Sequence, residues 1–149
     1  MIIRRMTQSD APAVAVLERE CFSQPWPEHE LLASLARPEY VFLVAEEEKV
    51  VGYAGMIVSF DAAVTNVAVT KDFRRKGAGR ALVEGLIREA AAKNVPEIFL
   101  EVRASNTAAI SLYESLGFTS RGVRKNFYEF PTEDGIIYGA DTGAKAASL

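Results

Sequence analysis

TNVAVTKDFRRKGAGRAL, residues 65–82, changes character twice. With Val64 before it, the run Val67, Ala68 and Val69 is apolar and partly β-branched, which predicts a strand. A charged turn follows, Lys71-Asp72-Phe73-Arg74-Arg75-Lys76, then Gly77 and Gly79, and a helical pattern starts near Ala78. The first N–H groups of a helix have no intrahelical partner, and its dipole favours an anion there. Glycines let the main chain approach a ligand with no Cβ in the way. Strand, basic turn and helix start together predict a phosphate-binding unit, around which the rest of the chain is read.

Upstream, residues 2–6 suit a first strand. A helix is expected over 11–21, capped by Ser9 or Asp10 and tolerating Pro12 in its first turn. Pro25-Trp26-Pro27 breaks the chain, and a second helix is expected over 28–36, closed by Arg37-Pro38. Residues 40–45 and 50–59 read as strands around the acidic turn 46–48; with 62–69 they predict an antiparallel meander. Downstream, the helix after the glycines extends to about Asn94. Leu82, Leu86 and Ala90 recur at four-residue spacing beside Val83 and Ile87, with Glu84 and Arg88 as an exposed i,i+4 pair. Residues 98–102 form another strand, 106–116 a helix closed by Gly117, and 118–128 with 135–140 a last hairpin-like pair. The order is that of a mixed sheet with helices on its faces, an α+β layered domain over residues 1–141, followed by a frayed tail, 142–149.

Composition narrows the function classes. A chain of 149 residues, 49% hydrophobic and 25% charged, is ordinary for one globular domain. A net charge of −3 argues against bulk nucleic-acid binding, and no apolar run is long enough to span a bilayer. Cys21 alone forms no internal disulfide, so a reducing cytoplasm is the expected compartment. One His and one Cys leave no basis for a zinc site, and no metal is expected.

Two common phosphate motifs fail on the glycine turn. A P-loop needs a Lys-Ser/Thr pair after its second glycine, and here Arg80-Ala81 follows Gly79. A dinucleotide fingerprint needs a third Gly or Ala where Leu82 stands. What remains is Arg74-x-x-Gly77-x-Gly79. This resembles the acetyl-coenzyme A motif of the GNAT-superfamily N-acetyltransferases. NVAV (66–69), LEVRASNTAAISLYESLGF (100–118) and RKNFY (124–128) strengthen the likeness, which covers most of the chain from FSQPW (22–26) to EDGIIY (133–138). Within the superfamily these segments resemble the bacterial branch that acetylates the N-terminal alanine of a small-subunit ribosomal protein.

The resemblance implies a three-layer α/β/α fold with a central mixed sheet of about seven strands and about four helices, and acetyl-CoA as co-substrate. Arg75, Lys76, Gly77, Ala78, Gly79 and Arg80 would hold the pyrophosphate, and the strand Val67-Ala68-Val69 would pair with the pantetheine arm. Glu101, a carboxylate inside the apolar strand IFLEV, would accept the amine proton; from the residues alone it could equally pair with Arg103 or face solvent. Tyr113 would protonate the leaving thiolate, and Asn106 would bond coenzyme A while starting its helix. The acceptor implied is a protein N-terminus, by direct attack in a ternary complex, with no nucleic-acid or membrane partner and a monomer or weak dimer as the working unit. A small-molecule amine acetyltransferase and a non-catalytic acyl-CoA-binding module stay open as alternatives.

Other residues read as structural: Cys21 as packing, His29 as exposed, Trp26 as a loop anchor. Departures from the family pattern lie at the substrate end. Phe127 stands where a first tyrosine is common, Glu129-Phe130 precede Pro131, and the loop 129–134 is acidic and long.

Overall fold

The computed structural model describes residues 1–144, in which seven strands form one sheet in the order β1-β2-β3-β4-β5-β7-β6. Strands β1 (Ile2–Arg5), β2 (Tyr40–Glu47), β3 (Lys49–Val58) and β4 (Ala62–Val69) make the expected antiparallel meander. β5 (Glu97–Arg103) joins β4 in parallel, and β7 (Glu133–Asp141) inserts between β5 and β6 (Thr119–Tyr128). Helices α1 (Ala11–Cys21) and α2 (Glu28–Leu35) cover one face; α3 (Ala78–Ala92) and α4 (Thr107–Ser115) cover the other.

Strand β2 shows why the domain is layered. Its side chains alternate, and both sets are buried: Val41, Leu43 and Ala45 pack with Leu82, Val83 and Leu86 of α3, while Phe42 and Val44 pack with Val14 and Leu17 of α1 and Leu31 of α2. A strand apolar on both faces needs a helix layer on each. The result is the α+β, three-layer architecture expected above.

Several local expectations are corrected. Glu84 pairs with Arg80 (3.5 Å), not Arg88. Arg88 lies back across Gly85, where no side chain keeps it off. Asp10 precedes α1 but does not cap it with its side chain. Its carboxylate turns back to the Thr7 N–H (2.8 Å) and the Arg4 guanidinium (2.8 and 2.9 Å), a bidentate charge-assisted pair that outweighs a single cap bond. Of the segment expected to fray, Thr142 is tied down, its N–H donating to Pro96 O at 2.9 Å, and residues 145–149 lie outside the described residues. No helix among the described residues is long and apolar enough to cross a membrane.

The feature that makes a site is the junction of β4 and β5. They pair only at Ala62–Ile98 and Ala63–Phe99, then separate. Nearby, Gly55 faces Asn66 while Met56 faces Val64, so Thr65 is an extra residue, a bulge in β4. A bulge bends its strand, here beside the point where β4 leaves β5.

Candidate active site

From Val64 to Val69, β4 keeps its partner β3 but has lost β5, and a cleft of about 680 Å³ opens in the gap. Its walls include Val64–Val67 of β4, Leu100–Arg103 of β5, Asn106 and Tyr113 on the α4 side, and Trp26 and Tyr128 at the rim. The β5-facing backbone of this part of β4 is an unpaired strand edge, able to accept an extended ligand bearing amide groups. Val67 lines the cleft, and Ala68 is buried toward α1.

Glu101 and Tyr113 approach this gap from opposite faces of the sheet. On β5, Ile98, Leu100 and Val102 point into the α3/α4 core, which leaves Glu101 on the α1/α2 face by strand alternation. Its Oε1 lies 3.4 Å from Arg124 Nε on β6, not against Arg103. Its Oε2 is buried and has no hydrogen-bond partner among the described residues. A carboxylate oxygen in that condition can accept a proton or a donor. Tyr113, in the α3/α4 core with Leu100 and Val102, is 9% exposed. Burial, with a smaller contribution from Tyr128, pushes its phenol up to about 12, so it stays protonated and able to donate.

The glycine turn presents unbonded backbone N–H groups at a helix start, a geometry that can accept an anion. Arg75 (φ 63°) and Gly77 (φ 89°) are left-handed, reversing the chain into α3. The first helical bond runs from Ala81 N–H to Gly77 O, which leaves the N–H groups of Ala78, Gly79 and Arg80 without helical acceptors. The side chains divide. Arg74, first residue of the motif, folds back: its Nε donates to Val69 O (3.0 Å) and its Nη2 reaches Cys21 Sγ (3.5 Å), so it braces the end of β4. Arg80 donates to Ser115 Oγ (2.8 Å), tying α3 to α4. Lys76 lies 5.3 Å over the Phe73 ring. Asn106 caps α4, its Oδ1 accepting from Ala109 N–H at 3.1 Å, and it also borders the cleft.

The rim opposite α1 is formed by residues 127–131, and Arg103 holds it. Its guanidinium donates to Pro131 O (2.8 Å), Glu129 O (2.9 Å) and Glu133 Oε1 (3.3 Å), and stacks 4.6 Å over the Tyr128 ring. Glu133 also accepts from Ser105 N–H (2.7 Å), and Asp134 from Asn126 N–H (2.9 Å). The acidic segment is therefore largely internal wiring. On the other rim Trp26 stands edge-on to Tyr40 and Phe42, the anchor expected from the sequence.

Residues 11–118 match the Acetyltransferase (GNAT) family. The chain belongs to this family. It is 39% identical over 134 residues to the [ribosomal protein bS18]-alanine N-acetyltransferase of Escherichia coli, covering 89% of each chain. It is 32% identical to the N-alpha-acetyltransferase RimI of Mycobacterium tuberculosis, over 95% of this chain and 92% of that one. The crystal structure of the E. coli ribosomal-protein-S18-alanine N-acetyltransferase superposes with a TM-score of 0.87 at 35% identity, covering 99% of this chain and 97% of that one. YncA of Salmonella typhimurium, solved with its cofactor acetyl-CoA, gives 0.88 at 25% identity, covering 100% and 98%.

The cleft at the splayed β4–β5 junction is lined by Asn106 and Tyr113 from the α4 side and by Cys21 and Phe22 from the α1 side. Sequence reading gave no site role to Tyr128, which lines the cleft, or to Arg124 and Glu18, which bond to residues that line it, and named Arg103 only as an alternative partner of Glu101. Tyr128 is half-buried, and burial with the Glu101 charge pushes its phenol up while Arg103 opposes the shift. Glu18 alone left a legible signal: a charge on the stripe Val14, Leu17, Glu18, Cys21 of α1. The arginine partners depend on strand order and left none.

Proposed function

We propose that this chain transfers the acetyl group of acetyl-CoA to the N-terminal amine of a protein, with alanine as first residue and a small-subunit ribosomal protein as the acceptor. The observation that carries this reading is the cleft at the β4–β5 splay, with a half-bare carboxylate on one face and a protonated phenol on the other. The relatives' activity on an N-terminal alanine supports the acceptor class.

In this reading the N–H groups after Gly77, with the Arg75 and Lys76 charges, hold the pyrophosphate, and Arg80 contributes its backbone while its side chain fastens α4. The edge of Val67–Val69, whose Val69 carbonyl is already taken by Arg74, aligns the amide-bearing arm, and a backbone N–H there stabilises negative charge developing on the thioester oxygen. Asn106 bonds the same arm with the amide end its capping oxygen leaves free. The amine nitrogen attacks the carbonyl carbon and the C–S bond breaks. Glu101 Oε2 receives the amine proton, directly or through water, and Tyr113 gives its proton to the departing sulfur. An α-amine has a pKa near ~8 against ~10.4 for lysine, so deprotonating a protein N-terminus asks less of the base than deprotonating a side-chain amine.

Thiol release should be measured with acetyl-CoA and an alanine-starting peptide, the same peptide already acetylated at its α-amine, a polyamine, or no acceptor. Only the free-amine peptide is expected to support turnover. Turnover on the polyamine but not the peptide would replace this reading with a small-amine enzyme; donor binding without turnover on any amine would leave a binding module.

A further inference from the structure

Glu18 is 1% exposed, and among the described residues it has no salt bridge. A carboxylate at that depth is costly unless hydrogen bonds satisfy it. Here they do. Its Oε1 accepts the backbone N–H of Trp26 at 2.8 Å, and its Oε2 accepts the Tyr53 hydroxyl at 2.8 Å and the Asn66 side-chain amide at 3.1 Å. The donors come from three places: the loop after α1, the core strand β3, and β4 directly beside the Thr65 bulge. Trp26 and Asn66 both line the cleft, whereas Tyr53 is wholly buried.

The chain could fill this position on α1 with an apolar side chain, since its neighbours Val14, Ala15 and Leu17 are core residues. An apolar residue would pack but would link nothing. We propose that Glu18 is a positioning residue for the acceptor: by joining residue 26 to β4 at the splay, it sets the width of the acceptor half of the cleft. This rests on the acetyltransferase reading above. Its hydrogen bonds reach β4 only at Asn66, and none goes to Val67–Val69, Arg75–Arg80 or Asn106, which hold the donor in that reading, so its effect should fall on one substrate. The link also requires two accepting oxygens. A glutamine would turn its NH₂ toward the Trp26 N–H or toward the Tyr53–Asn66 pair, and one end would come loose.

The test compares wild type, Glu18→Gln and Tyr53→Phe. Tyr53→Phe removes a core hydrogen bond to the same carboxylate but leaves both cleft-lining ends attached, so it controls for a purely structural role. Trp26 is the only tryptophan of the chain, and its quenching by acrylamide reports the loop independently of activity. Glu18→Gln is expected to raise KM for an alanine-starting peptide about tenfold or more, with KM for acetyl-CoA unchanged within about twofold, and to make Trp26 more quenchable. Tyr53→Phe is expected to lower Tm with both KM values and the quenching unchanged. Peptide and acetyl-CoA KM rising together in Glu18→Gln, or neither rising, would overturn the proposal. If Glu18→Gln does not fold, hydrogen exchange of wild type decides: a Trp26 amide slower than those of Ser23 and Gln24 supports the link, and one equally fast overturns it. A wild type inert toward the peptide would defeat the acetyltransferase reading instead, and the quenching comparison would still decide the loop's attachment.

Discussion

In the proposed reaction Glu101 accepts a proton and Tyr113 donates one, and their surroundings differ accordingly. Glu101 is a carboxylate with one oxygen against Arg124 and the other bare. Tyr113 is a phenol that burial keeps neutral. Glu101→Gln and Tyr113→Phe are each expected to lower kcat about a hundredfold, the scale of lost general base or acid assistance. Calorimetric affinity for acetyl-CoA should stay within about twofold of wild type, and unchanged kcat in both variants would remove them from the reaction. The pH dependence has a definite sign. With the Tyr113 phenol raised to about 12, its donating form persists through the neutral and mildly alkaline range. The kcat profile of wild type should therefore not fall between about pH 8 and 10. A fall there that Tyr113→Phe abolishes would show an ordinary, unburied phenol. Glu101 was legible as a charge inside IFLEV; its partner Arg124 was not, because β7 had first to separate β5 from β6.

At the level of elements, β4 and its following turn form the part of the site proposed above for the donor, and two glycines constrain them for different reasons. A Cβ on Gly55 would lie 2.7 Å from the Phe42 ring and 2.9 Å from Thr65 Oγ1, so the bulge needs a bare backbone opposite it. Gly55→Ala is expected to cost about 1–3 kcal/mol in denaturant unfolding, the usual range for overpacking. At Gly77 a Cβ would meet nothing within 4 Å, but φ is 89°. Gly77→Ala should therefore cost only about 1–2 kcal/mol of backbone strain and raise KM for acetyl-CoA without touching that for peptide. Equal effects on both substrates would argue against a donor-side turn. Element bounds were largely legible from periodicity and from Pro and Gly punctuation. The Thr65 bulge was not, since it exists only relative to β3.

Across the whole molecule, the Arg4–Asp10 pair joins the edge strand β1 to the start of α1. The Arg4 hydrogen bond holds the buried Asp10 carboxyl at about 2, below its ordinary 3.8. A folded-state value below the unfolded one adds stability that is complete above about pH 4 and lost as pH falls toward about 2. That difference corresponds to about 2 kcal/mol. Asp10→Asn should lose this much at pH 7, and its stability should fall less steeply than that of wild type between about pH 4 and 2. Parallel acid-unfolding curves would show that the pair does not act in this way. What the amino-acid order determined by itself was local: two-residue alternation, helical stripes, and a basic glycine turn whose backbone geometry suits phosphate. These depend on neighbours along the chain, so they named the layered fold and pointed to a phosphate-binding turn. The tertiary structure decided the rest: how far β4 parts from β5, which oxygen of Glu101 stays bare, how Arg103 ties down residues 129–131, and how Glu18 ties Trp26 to Asn66. Each joins groups from separate elements, and a side chain's partner through space is set by strand order and helix placement, not by its neighbours in sequence.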